Sequence, residues 1–355
     1  MAKNCYTVCV MKGDGIGPEI VDATLDVLTS VQDRFRFNLE YFEVPAGDAS
    51  LRQNGEALPK SSEEEFERSD ACLKGPVGET VMEINTRLRF GYDLYANIRP
   101  ARSFPGICPP ALRPDTDLVV IRENSEGFYK ALEMEIVPGV WVSSGVFTTR
   151  AAQRIARLSF EYARNRARSE NSRAKVTLAT KANIFRMTHG MYLREFQKMS
   201  LEYPDVVFEH MYADAVCAAL VRDSSKFDVI SGENLLGDLL SDLAGQICGG
   251  LGMTPGTNIN YETKQAYFEP THGCAPDIAG KGIANPIGQI RSAALMLDYL
   301  SHVNQDPRLK NASLEIELAI EKLLSTPNRT SLPVELGGTS RTDEVGRIVS
   351  ESIVK

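Results

Sequence analysis

Short apolar cores that run out into polar residues recur along this chain, with helix-like stretches between them. The cores are YTVCVM (6–11), FNLEYFEV (37–44), DLYANIRP (93–100), DLVVIREN (117–124), KVTLATKAN (175–183) and FDVISGEN (227–234). Segments such as TTRAAQRIARLSFEYARNRAR (148–168) separate several of them. This alternation predicts an α/β fold around a largely parallel sheet. In such sheets, sites gather at the carboxyl ends of the strands. GDGIGPEIVDATLDVLTSV turns out of the first core into a helix, with Pro18 near its first turn, where a missing N–H does no harm. SSEEEFERSDACL reads as another helix start. EMEIVPGVWVSSGVF (133–147) departs from the pattern, being Val-rich with Gly and Pro turn signals. It predicts a hairpin between two α/β blocks, suited to an exchanged arm at a subunit interface. With no long linker or repeat, any domain boundary is a chain crossing rather than a tether.

A chain of 355 residues is long enough for two domains. Its net charge of −8 argues against a nucleic-acid partner held by bulk charge. No apolar run approaches the roughly 18–20 residues of a membrane span. The N-terminal stretch lacks the apolar core of a secretory signal and the arginines of a transit peptide, so the expected location is cytoplasmic. Seven scattered cysteines without a CxxC pair read as reduced thiols of a cytosolic protein. Four histidines lack metal-ligand spacing, so any metal is expected to be a hard cation bound by oxygen.

GENLLGDLLSDLAG (232–245) poses a question of charge. Asp238 and Asp242 stand four residues apart in an otherwise apolar helix, on one face, where like charges repel. Burying them unpaired would cost far more. Asp214, in MYADAVCAALV, is a third carboxylate in apolar surroundings. Together the three suit Mg²⁺ or Mn²⁺; singly, each reads as a solvent-facing or capping aspartate. Arg89, Arg99 and Arg122 lie near strand ends. Guanidinium groups fork onto carboxylates, so three converging would suit a di- or tricarboxylate; singly, each reads as a surface charge. Lys181 ends VTLATK, and Tyr129 follows RENSEGF. A desolvated lysine beside cations would lose basicity and could act as a base, with a tyrosine hydroxyl as its acid partner. The glycines of GDGIGPE lack the GxGxxG interval and read as a tight turn.

With these pieces in order, the chain resembles the isocitrate/isopropylmalate dehydrogenase family, the metal-dependent β-decarboxylating dehydrogenases. The resemblance covers nearly the whole chain. It is carried by GDGIGPEI (13–20), LYANIRP (94–100), RENSEGFY (122–129), KANIFRMTHG (181–190), NLLGDLLSDLAG (234–245) and HGCAPDIAGKGIANP (272–286). It implies a two-domain α/β fold without a Rossmann unit. Residues 1–99 and 251–355 would form a large cofactor-binding domain. Residues 100–250 would form a smaller dimerisation and metal domain, with an interlocking arm near 133–147. A homodimer or higher oligomer would share its site between subunits, lending Lys181 and Asp214 across to Asp238 and Asp242. The resemblance makes Tyr129, Lys181 and Asp214 catalytic, and Asp214, Asp238 and Asp242 ligands of Mg²⁺ or Mn²⁺. Arg89, Arg99 and Arg122 would hold the carboxylates of a 3-substituted malate. Hydride transfer to a nicotinamide and loss of carbon dioxide would follow.

The cofactor reading also rests on matching positions. Asp277 and Ile278 stand where NADP-using relatives carry a Lys–Tyr pair, so NAD is expected; a carboxylate there would repel a 2′-phosphate. His272, Gly273 and Asn285 would lie on the adenine side, Glu269 at a ribose and Asn183 at the nicotinamide end. Substrate choice is expected in ETVMEINTRLR (79–89). Asn85 stands where isopropylmalate enzymes carry leucine and resembles isocitrate enzymes. Glu83 stands where those usually carry serine. A carboxylate facing the pocket would repel an anionic substituent by a few kcal/mol. On Asn85, and with Glu83 able to point outward, the expectation is isocitrate first. Homoisocitrate or a specialised 3-substituted malate follows, then isopropylmalate, D-malate or tartrate. A non-catalytic regulatory subunit is the contrasting possibility, disfavoured because Lys181, Tyr129 and the aspartates are all present.

Overall fold

The computed structural model describes residues 3, 5–104, 106–107, 112–170 and 174–354. Twelve strands are found among them: β1 (Cys5–Met11), β2 (Asn38–Glu43), β3 (Ala71–Lys74), β4 (Ala96–Arg102), β5 (Asp117–Glu123), β6 (Gly127–Val137), β7 (Val140–Val146), β8 (Lys175–Thr180), β9 (Val207–Tyr212), β10 (Val229–Gly232), β11 (Pro255–Asn260) and β12 (Gln265–Pro270). The chain divides into two compact units. The first holds residues 1–92, 103–114 and 248–355, the second 93–102 and 115–247. Residues 93–99 thus fall in the second unit, unlike the expected boundary at 99. The reason is pairing: β4 runs antiparallel to β5 along its whole length, from Ala96 opposite Glu123 to Arg102 opposite Asp117.

In the first unit the strand order is β2-β1-β3-β12-β11. All neighbours are parallel except β11 and β12. The helix Gly17–Phe35 buries Ile20, Ala23, Thr24, Val27, Leu28 and Val31, a helical spacing that presents one apolar face. That face packs against the helices Ile287–Asn304 and Thr342–Val354. Pro18 lies in its first turn, as the sequence predicts. The preceding turn has Gly13 and Gly15 at φ 71° and 59°, and a Cβ on either would meet the Pro76 or Cys274 carbonyl at 2.0 or 1.9 Å. The chain's own backbone fills the space these glycines leave.

The second unit has the order β4-β5-β10-β8-β9, parallel beyond the β4–β5 pair. Every residue of β10 is buried, as is all of β5 but Asp117. Strands covered on both faces read as continuous apolar runs rather than alternating ones. The helix Thr149–Glu170 and the helix Asn234–Ile247 both pack on these strands. β6 and β7 form a separate antiparallel ribbon, longer than the predicted hairpin. Met134, Ile136, Val137 and Trp141 on it are 57–68% exposed in the protomer. Among the described residues no helix is long and apolar enough to cross a membrane. Six cysteines are free thiols, and Cys108 lies outside the described residues.

Gly237, inside the Asn234 helix, sits against β5. A Cβ there would lie 2.7 Å from Arg122 Cβ and 3.1 Å from its Cα. Mid-helix glycine ordinarily costs about 1 kcal/mol relative to alanine. Here the close approach reverses the sign. Gly237→Ala is expected to destabilise the protein by about 1–3 kcal/mol, as overpacking does. Chemical denaturation checks this; a more stable variant would refute the packing argument.

Candidate active site

Strand geometry brings two arginines to one face. Arg122, near the carboxyl end of β5, pairs with Asn97 of β4, and Arg99 lies two residues beyond Asn97. Side chains two apart along a strand share a face, so Arg99 and Arg122 project together. The Asn234 helix meets them there. Its residues Asn234, Asp238 and Asp242 are spaced by four and form one stripe.

The stripe and the arginines interlock. Arg99 Nη1 lies 3.1 Å from Asp238 Oδ1, 3.1 Å from Asp242 Oδ1 and 2.8 Å from Ser241 Oγ. Arg122 Nη1 donates to Asp238 Oδ1, and the Tyr129 hydroxyl donates to Asp238 Oδ2. The Arg122 guanidinium also lies 4.8 Å from the Tyr129 ring centre, a cation–π contact. Two arginines thus offset the two like-charged aspartates within one protomer. The arginine side chains are buried, while Asp238 is 25% and Asp242 47% exposed. Desolvation pushes the Asp242 carboxyl up; Arg99 opposes this and Asp238 adds to it. Arg99 Nε is buried without a hydrogen-bond partner, a donor left over.

One nitrogen within reach of both carboxylates means that both address one point with oxygen donors. That donor chemistry suits a hard divalent cation. Two such ligands would leave room for an anionic ligand, water or a further carboxylate. Asp214 does not join them within the protomer. Among the described residues no group of three His, Cys, Asp or Glu side chains could hold a metal. Asp214, in the first turn of the helix Ala213–Arg222, instead accepts from Lys181 Nζ at 2.7 Å. This hydrogen bond holds the Asp214 carboxyl below the usual range. Lys181 follows β8, and its backbone N–H donates to His189 Nδ1 at 3.0 Å. Burial lowers the His189 pKa to about 4, which keeps that nitrogen an acceptor. The side chain of Lys181 is 34% exposed and faces a carboxylate, not the desolvated cationic setting the sequence suggested. Asn183 is exposed.

Arg89 belongs to the first unit. Its Nε donates to Tyr267 Oη at 2.7 Å and its Nη2 to Glu269 Oε1 at 2.9 Å. Lys74, 1% exposed, donates to Glu269 Oε2 at 2.6 Å. Nothing in the sequence singled out Lys74 or Tyr267: Lys74 reaches Glu269 through the pairing of β3 with β12, while Tyr267 stands two residues before Glu269 on the same face of β12. Asn85 is buried and Glu83 exposed. In the 272–286 loop, His272 Nδ1 lies 2.9 Å from the Gly273 carbonyl, while its Nε2 is buried without a partner. Gly273 and Asp277 are exposed and Ile278 half-buried. Asn285 is tied into the surrounding fold, where its Oδ1 accepts from Ile287 N at 3.1 Å and its Nδ2 donates to Glu335 at 2.8 Å.

Three further carboxylates hold backbone in the second unit. Glu233 accepts from Leu235 N and Leu236 N, opening the Asn234 helix. Glu126 accepts from Thr148 N, and Glu123 from Ser125 N and Glu126 N. Desolvation raises Glu123 from 4.5 to about 7, against its hydrogen bonds. Between those pH values the folded protein holds a proton that the unfolded chain releases, so stability falls as pH rises through that window. Glu123→Gln is expected to flatten this fall. Thermal melts of both proteins from pH 4.5 to 7 check it; parallel curves would show that Glu123 does not carry the proton.

The family model described as isocitrate/isopropylmalate dehydrogenase matches residues 7–349. The chain is 41% identical to the 3-isopropylmalate dehydrogenase of Sulfurisphaera tokodaii, over 96% of this chain and 97% of that one. It is 36% identical to the mitochondrial NAD isocitrate dehydrogenase subunit alpha of Bos taurus, over 97% and 91%. The crystal structure of isocitrate dehydrogenase from Methylococcus capsulatus superposes with a TM-score of 0.89 at 35% identity, covering 99% of this chain and all of that one.

Proposed function

The chain belongs to the isocitrate/isopropylmalate dehydrogenase family of decarboxylating hydroxy-acid dehydrogenases, and within it we propose an NAD- and Mg²⁺/Mn²⁺-dependent enzyme whose substrate is a 3-substituted malate, isocitrate first. The observation that carries this reading is the interlocked set of Asp238, Asp242, Arg99, Arg122 and Tyr129. Asp238 and Asp242 would hold a divalent cation, whose Lewis acidity would ease loss of the 2-hydroxyl proton and stabilise negative charge developing as carbon dioxide leaves. Arg99 and Arg122 bind the malate carboxylates, and the unpaired Arg99 Nε is a donor free for that use. Lys181 Nζ accepts the 2-hydroxyl proton, with Asp214 as the partner that stabilises its charged form. Tyr129 Oη returns a proton to carbon 3 of the enol. We assign Arg89 to the malate carboxylates as well, and Asn85 to the carbon-3 substituent. Glu269, His272, Gly273, Asp277, Ile278, Asn285 and Asn183 would hold NAD, which would supply a hydride acceptor. The exposed apolar ribbon β6–β7 is read as the arm of a homodimer in which Lys181 and Asp214 serve the second copy's site. Free thiols fit a cytoplasmic enzyme.

Isocitrate stands first because the buried amide of Asn85 can hydrogen-bond an extra carboxylate, while Glu83 is exposed. Sites built around such a bond reject analogues that lack the partner. A second reading, 3-isopropylmalate, is favoured by Val81 and Met82, exposed apolar side chains on the same short helix. The test is NAD reduction with Mn²⁺ or Mg²⁺ on isocitrate, homoisocitrate, 3-isopropylmalate, D-malate and tartrate. A kcat/KM for isocitrate at least tenfold above the rest is expected. The reverse order would assign the pocket to the alkyl tail, and no turnover of any would leave the regulatory-subunit reading.

Cofactor choice has its own test. Asp277→Lys combined with Ile278→Tyr is expected to raise kcat/KM for NADP at least tenfold and lower it for NAD. Unchanged cofactor preference would remove Asp277 from the ribose site.

A further inference from the structure

Arg122 is held from one side by a neutral group. Asn234 Oδ1 accepts from Arg122 Nε at 2.9 Å and from Nη2 at 2.6 Å. Its Nδ2 donates to the Glu126 carbonyl at 3.0 Å. Both side chains are 1% exposed, so neither contact competes with bulk water. A guanidinium offers its donors as forked edges, and an edge occupied by one acceptor cannot serve another. With Nε and Nη2 taken, the Nη1 end is the one turned to Asp238. Asn234 stands one turn before Asp238 on the same helix face. Through Glu126 it also ties the turn that leads from Arg122 to Tyr129. An amide accepts these bonds without cancelling the positive charge; a carboxylate in its place would neutralise Arg122.

We propose that Asn234 is a positioning residue: it clamps the Nε edge of Arg122 so that the Nη1 end, held beside Asp238, is aimed at an anionic ligand. This rests on the reading of Arg122 as a binder of substrate carboxylate. It adds a specificity element that acts through Arg122 and not on the substrate itself.

The experiment is calorimetric binding of the preferred 3-substituted malate with Mg²⁺, without NAD, to the full-length wild-type, Asn234→Leu, Arg122→Lys and the double variant. Asn234→Leu keeps the shape and removes the two hydrogen bonds accepted from Arg122 and the one donated to Glu126; Asn234→Ser is the smaller alternative should the leucine protein fail to fold. Either is expected to raise the dissociation constant at least tenfold. In the Arg122→Lys background the same change is expected to add less than about twofold, because lysine has no forked edge to clamp. Wild-type affinity in both Asn234 variants would overturn the proposal. So would a loss that persists undiminished with Arg122→Lys, the mark of a purely structural role. If the wild-type itself binds none of the substrates, the functional reading falls and the clamp falls with it; wild-type binding with unaffected variants sinks the clamp alone.

Discussion

Everything in the second unit's site depends on how two aspartates on one helix face are neutralised. Asp238 and Asp242 would repel one another in an apolar helix, and Arg99 and Arg122 remove that cost from the strand side. The pairing requires strand and helix in strict register. β4 must run against β5 so that both arginines share a face, and the helix must begin where Glu233 caps it so that the stripe meets them. Charge, sheet topology and helix start are one constraint seen from three sides.

A balanced quartet of this kind is also a poised one. The aspartates keep part of their surface open while the arginines are buried, so a cation binding there would meet carboxylates and an anion would find guanidinium already desolvated. Taking charges out of water is expensive, and here much of that cost is met in folding rather than at binding. The site is preorganised by the same contacts that stabilise the unit.

Much of this was legible in the sequence, because it follows from local periodicity. The i, i+4 aspartates, the buried strands and the helix after GDGIG all report through spacing of neighbours along the chain. Family motifs supplied the class of chemistry for the same reason. Lys74 was not legible, since it reaches Glu269 only through the pairing of β3 with β12, and Tyr267 was not, since its partner Arg89 lies 178 residues away in sequence. Asn234 was hidden differently: it sits inside the NLLGDLLSDLAG motif, yet its meaning depends on which edge of Arg122 it takes. Asp214 shows the limit of residue type alone. It is an aspartate in apolar company, but in the protomer its partner is Lys181 and not the other two aspartates.

The contact between Gly237 and Arg122 has a consequence for how such a chain can change over generations. The helix lies so close to β5 that position 237 has room for no side chain while position 122 carries the start of a long one. A replacement at 237 meets backbone and side chain together, and an uncharged residue at 122 would discard the charge that balances the helix. The two positions are therefore coupled: what a side chain at 237 costs depends on what stands at 122, while part of that cost comes from the Arg122 Cα and stays whatever residue is placed there.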